Sequence, residues 1–134
     1  MSNGTLSVDI ADEASITRAV RQSQKFLKDR GAPQRRSFLV ATAISELVRN
    51  ALIHAGGGSL SLRWIKKEDQ RTGIEVVVRD DGPGIENIDL ACQEGFSTAN
   101  SLGLGLPGVI RIMDDVEISS SPGAGCTVEA RKWF

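Results

Sequence analysis

Two cysteines and one histidine in 134 residues leave little material for metal or disulfide chemistry. Cys92 and Cys126 have no metal-type spacing and His54 is the lone histidine, so no zinc site suggests itself, and both cysteines read as free structural thiols. No block of lysine or arginine occurs and the formal net charge is −1, which argues against a nucleic-acid surface or an anionic membrane as partner. Neither a signal-peptide pattern nor an apolar run approaching ~18 residues is present, so the expectation is a cytoplasmic chain that does not enter a membrane. No repeat or linker divides the chain. Its length suits one packed core, and a single domain over residues 1–134 is expected.

What is present is strongly patterned. Leu6, Val8 and Ile10 alternate with Thr5, Ser7 and Asp9, the period of a half-buried strand. Asp12 is placed to cap a helix carrying Ile16, Ala19, Val20, Phe26 and Leu27 on one face, and Gly31 to stop it. Pro33 suits the first turn of a second helix through Phe38, Ala41 and Ile44. After Gly56-Gly57-Gly58 the period changes to two, with Leu60, Leu62 and Trp64 inward. A polar turn follows, and a returning strand sets Ile74, Val76, Val78 and Asp80 on one face. Residues 85–102 lack Lys and Arg and read as a short helical turn followed by a lid. A helix from Gly103 to Met113 and two closing strands, 116–120 and 126–133, complete the chain. In the last strand Cys126, Val128 and Ala130 alternate with Thr127, Glu129 and Arg131. The second faces of the strands are mostly polar. The fold class expected is therefore α/β (α+β): a two-layer sandwich of a mixed, mainly antiparallel sheet with helices on one face.

Polar residues interrupt this pattern at specific places. Glu46, Asn50 and His54 recur every four residues, within one ~80° arc of a helix whose other positions include Leu47, Val48, Ala51 and Leu52. A buried carboxylate and amide need partners. Asp80 shares the apolar face of its strand, an unusual place for a carboxylate. Gly82 and Gly84 follow it in a turn where glycine permits close backbone approach to a ligand. Gly103-x-Gly105-x-x-Gly108 opens a helix, where amides and the dipole favour an anion such as phosphate. Its late position, after a lid, does not fit a Rossmann unit.

Glu46-x-x-Arg49-Asn50, Asp80-x-Gly82-x-Gly84, Gly103-x-Gly105-x-x-Gly108 and Gly125-Cys126-Thr127 together resemble, in order and spacing, the nucleotide-binding boxes of the GHKL superfamily, which has the Bergerat ATP-binding fold. Ala43-Ile44-Ser45-Glu46-Leu47, Gly95-Phe96-Ser97-Thr98, Gly105-Leu106-Pro107-Gly108-Val109 and Lys132-Trp133 look like the RsbT-type serine/threonine kinases of partner-switching stress modules. The resemblance implies ATP and Mg²⁺ as cofactors. Asp80 would accept from the adenine amino group and Asn50 would ligate Mg²⁺. Glu46 would be the general base. Gly82, Gly84, Gly103, Gly105 and Gly108 would line the nucleotide, and Thr127 would support its adenine end. It implies a STAS-domain protein as substrate and a downstream phosphatase as a further partner. Arg49 is left between contacting a phosphate, orienting Glu46 and pairing locally. His54 reads as a packing or hydrogen-bonding residue at the helix end. The alternatives are an anti-sigma factor or phosphatase-activating module in which ATP only biases partner choice, and a gyrase-like ATPase, which lacks its transducer domain here.

Overall fold

The computed structural model describes residues 4–84, 105–120 and 122–134. Strand β1 (Thr5–Ile10) is followed by helices α1 (Glu13–Asp29) and α2 (Gln34–Ala55), then by the hairpin of β2 (Gly58–Lys66) and β3 (Thr72–Asp80). Helix α3 (Leu106–Ile112) precedes β4 (Asp115–Ser120) and β5 (Cys126–Trp133). The expected helical turn and lid, and the phosphate-loop residue Gly103, lie outside the described residues.

The five strands form one sheet in the order β1-β2-β3-β5-β4, with every pairing antiparallel. The mixed component expected from the sequence does not occur among the described strands, because β5 inserts between β3 and β4. Those two run in the same direction and are kept apart by the strand that opposes both.

Register puts Leu62, Val76 and Ala130 in one row and Leu60, Val78, Val128 and Ile118 in the next, facing the helices. These rows meet Ile44, Leu47, Val48 and Ala51 of α2 and Leu27 of α1 in a single core. The opposite face carries polar rows. In one of them Glu75 accepts from Arg63 (2.9 Å) and Arg131 (3.0 Å), its neighbours on both flanking strands. Such a mostly polar face offers little apolar surface for a second helical layer to cover, which is why the helices collect on one side.

Helix α2 is the central element, packed on α1, α3, β1, β2 and β3. Its mean hydropathy reaches 1.3 over an 18-residue window, and by length and composition alone it would cross a membrane. Here its apolar face is spent on the sheet, while Glu46, Arg49 and Asn50 break the other side. The helix stops at Gly56, which has φ 77°, with its amide donating to the Leu52 carbonyl (3.0 Å) and that of Gly57 to Ala51 (3.1 Å). A left-handed residue there satisfies the last carbonyls. At the start, Pro33 sits at the cap position, one residue ahead of the expected first turn.

Helix α1 begins in a reciprocal cap. Asp12 Oδ1 accepts from the Ser15 amide (3.0 Å) and hydroxyl (2.9 Å), and Ser15 Oγ accepts from the Asp12 amide (3.3 Å). Foremost through the Ser15 hydroxyl and then its amide, these bonds hold the Asp12 carboxyl below its ordinary 3.8. A carboxylate depressed on folding contributes stability that is present above its unfolded value and lost as pH falls through its folded one. Asp12→Ala should therefore lower Tm at neutral pH, with the gap to the native chain narrowing below 3.8, as thermal unfolding across a pH series would read.

Candidate functional site

Between α2 and the C-terminal end of β3 lies a cleft lined by Leu47, Asn50, Ala51 and His54 of α2, and by Val78 and Asp80 of β3. Pro83 and Gly84 of the following turn, Leu106 of α3, and Cys126 and Val128 of β5 complete it. It encloses about 480 Å³ of empty space, its open mouth included. The lining is apolar with few polar groups, the usual make-up of a small-molecule site. The cleft exists because β3 carries Asp80 at the end of its inward row, where the core residues of α2 give way to Asn50 and His54.

Three glycines set the wall spacing. A Cβ on Gly82 would collide with Ala55, one on Gly125 with the Asp80 carbonyl, and one on Gly105 with the Glu46 carboxylate. Gly105 and Gly125 also have φ of 68° and 78°, so side chains are excluded there by conformation as well as by space. Gly84 has φ 80° and borders the cleft directly. Gly108 lies in the first turn of α3, near the amides that helix geometry leaves without intrahelical acceptors.

Asp80 is half-buried, not enclosed, and its Oδ1 accepts from the Gly82 amide (2.9 Å). That bond ties the turn to Asp80, which lines the cleft. Since Gly82 packs on Ala55, Asp80 belongs to the C-terminal end of α2. Gly105 packs on Glu46, in the middle of α2, nine residues back, or ~13.5 Å along the axis. Asn50 lies between. Glu46 itself is not on the cleft wall; it stands at the rim, half exposed, with Arg49 Nη1 3.8 Å from its Oε1. Arg49 thus forms the local pair. His54 lines the cleft, so its position at the helix end is also a position in the site.

Thr127 is the one described candidate placed elsewhere. It sits in register with Arg79 and Ser119, on the sheet face that carries no helices. Its neighbour Cys126 pairs with Asp80 and lines the cleft. The alternation in β5 already carried this: Cys126 shares parity with the buried Val128 and Ala130. Burial pushes the Cys126 thiol above its ordinary 9.0 and the Asp80 charge adds to the rise, against a lowering hydrogen bond with Ser120. No group of three or more His, Cys, Asp or Glu side chains arranged for a metal occurs among the described residues. Asn50 is the neutral, hard oxygen donor of the cleft.

Residues 36–133 match the family model described as histidine kinase-, DNA gyrase B-, and HSP90-like ATPase. The serine/threonine-protein kinase RsbT of Bacillus subtilis (strain 168) is 35% identical over 132 residues, 98% of each chain. An anti-sigma F factor of Thermoanaerobacter sp. (strain X514) is 34% identical over 98 residues, 71% of this chain and 68% of that one. Among solved structures, the RsbU and RsbW domains of Rv1364c from Mycobacterium tuberculosis superpose with a TM-score of 0.62 at 18% identity, over 96% of this chain and 32% of that longer one. That likeness is one of fold.

The thiol offers a direct probe of the cleft. Thiolate is the reactive form, so in a Cys92→Ser background the native protein should alkylate with iodoacetamide more slowly at about pH 8 than the unfolded chain. Asp80→Asn, which removes the neighbouring charge, should speed the reaction. ATP should slow it by covering Cys126. Alkylation indifferent to ATP would place the nucleotide elsewhere.

Proposed function

Because this chain belongs to the family of histidine kinase-, DNA gyrase B-, and HSP90-like ATPases, and within it to the RsbT-type protein kinases, we propose that ATP bound along α2 phosphorylates a serine or threonine of a STAS-domain regulatory protein. The observation that carries this reading is the order of groups along the helix. Asp80 lies by its C-terminal end, Asn50 next, and Glu46 with the start of α3 beyond it. An elongated molecule with a base at one end and phosphates at the other fits that sequence of chemistries.

Asp80 accepts a hydrogen bond from the adenine amino group, and Cys126, in the place the sequence assigned to Thr127, borders the same end. Gly82, Gly84 and Gly125 let the backbone close on the base. Gly105 and Gly108 bring the opening of α3 to the phosphates. Asn50 would offer its amide oxygen to Mg²⁺, whose charge would offset that of the phosphates during transfer. Glu46 takes the proton from the acceptor hydroxyl as its oxygen bonds to the terminal phosphorus, and ADP leaves. Arg49 holds the Glu46 carboxylate at the rim, facing solvent and therefore facing a protein substrate.

The similarity to an anti-sigma F factor supports a second reading, in which nucleotide biases the choice between protein partners. The two are compatible: a kinase released from its modified partner is free to engage another, such as a phosphatase. We place this exchange in the cytoplasm.

Transfer of labelled phosphate from ATP to purified STAS-domain proteins of the native host tests the reading, and failure with every one of them would defeat it. Asp80→Asn should weaken ATP binding by about 1.5–3 kcal/mol, the value of a hydrogen bond to a charged group, and the native protein should prefer ATP to GTP, whose base carries an oxygen at that position. Equal affinities by calorimetry would remove the adenine assignment. Glu46→Ala should slow transfer by ~10²–10⁴-fold while nucleotide affinity survives; native rates would rule the base out.

A further inference from the structure

The reaction requires the acceptor hydroxyl to come within hydrogen-bond reach of Glu46, and Glu46 lies on the outer side of α2. What surrounds it there is not an ordinary solvated face. Arg35, Phe38, Thr42, Glu46, Arg49 and Ile53 fall within one ~80° arc of the helix and span ~27 Å along it. Phe38 is 66% exposed and Ile53 59%, two of the three large apolar side chains on the described surface that stand in water. The third, Ile110, is on α3, which packs against α2. Single exposed apolar residues are common. Two of them bracketing the candidate base on one helical strip are what a docked protein would cover.

The electrostatics specify the kind of partner. From residue 11 to 57 the chain carries eight Lys and Arg against four Asp and Glu, a net of +4 in a chain whose total is −1. Within the strip, Arg35 and Arg49 flank Phe38 and Glu46, and Glu46 is its one acid. Beside Phe38 a groove with about 890 Å³ of empty space, its open mouth included, runs between the end of α1 and the start of α2, lined by Gln24, Lys28, Ala32, Gln34 and Ser37. It adds Lys28 to the same side and gives room for an apolar side chain. The open face of the sheet differs: there Arg63 is already paired with Glu75, and Arg131 with Glu75 and Glu117.

We infer that the outer strip of α2 from Arg35 to Ile53, with the groove beside Phe38, is the docking surface for the protein substrate, and that the substrate meets it with an acidic surface bearing an apolar side chain next to the acceptor hydroxyl. This rests on the kinase reading above. It assigns Phe38 and Arg35 to recognition, about 12 Å and 16 Å along the helix from Glu46 and outside the nucleotide cleft. They position the acceptor and touch no reacting atom.

The test uses the full chain and the purified STAS-domain protein that the transfer assay identifies as acceptor. Phe38→Ser and Arg35→Glu should each raise KM for that protein about tenfold or more, the usual effect of losing one central contact, while kcat and ATP affinity stay native. Both residues are exposed, so folding should survive; circular dichroism verifies it. Raising ionic strength should raise the native KM more than that of Arg35→Glu. A photoreactive side chain at position 38 should capture the acceptor, whereas one at position 63, on the open sheet face, should not. Native KM in both variants, capture from position 63 alone, or capture of a second copy of this chain from position 38 would overturn the surface while transfer itself still stood. Absence of transfer to any STAS-domain protein would instead remove the kinase reading, and the docking surface with it.

Discussion

The structure depends on α2 being divided along its length into a face that is core and a face that is chemistry. Ile44, Leu47, Val48 and Ala51 lie almost wholly out of water against the sheet, and their burial contributes roughly 1.5–3 kcal/mol for each large side chain. That packing fixes the rotation of the helix about its own axis. Once the rotation is fixed, Asn50 must face the cleft, Glu46 its rim and Phe38 the solvent. None of these three polar or exposed positions holds the helix in place; each inherits its direction from the apolar residues beside it.

The second constraint is distance. Helix and sheet come together closely enough for a small, walled cleft only where side chains are missing, at Gly82 against Ala55, Gly105 against Glu46 and Gly125 against the Asp80 backbone. The glycines that read as parts of nucleotide-binding boxes therefore also have a structural function, as spacers between elements. One observation unites the two roles: a backbone close enough to touch a neighbouring helix is also close enough to touch a ligand lying beside that helix.

Among the described residues, the rim of the cleft and the outer strip of α2 meet at Glu46. A nucleotide lying along the inner side and a protein lying along the outer side would share one carboxylate, within reach of both. On the proposed reading, a place at the rim, loosely paired with Arg49, leaves the Glu46 carboxylate open to an acceptor hydroxyl. A base enclosed by the cleft would be unreachable for a hydroxyl carried on a folded partner.

Much of this was legible in the sequence, because period is a local property. The alternation of β1, β2, β3 and β5, the apolar stripe of α1 with its Asp12 cap, the stop at Gly56 and the face shared by Val78 and Asp80 all follow from residues close together in the chain. The resemblance of the four boxes pointed to candidate residues on the same basis. Tertiary structure decided what depends on residues far apart. The insertion of β5 between β3 and β4 made the described sheet antiparallel throughout. The same pairing set Cys126 opposite Asp80 and turned Thr127 to the open face, a question of parity that the sequence contained but that only the register between distant strands could anchor. The separation of Glu46 from the cleft wall was likewise beyond reach, since Glu46, Asn50 and His54 share one ~80° arc and the sequence does not say where the wall cuts it. The approach of Gly105 to the middle of the helix and of Gly82 to its C-terminal end distinguishes them, because a helix supplies the same period at every turn while its neighbours differ along its length.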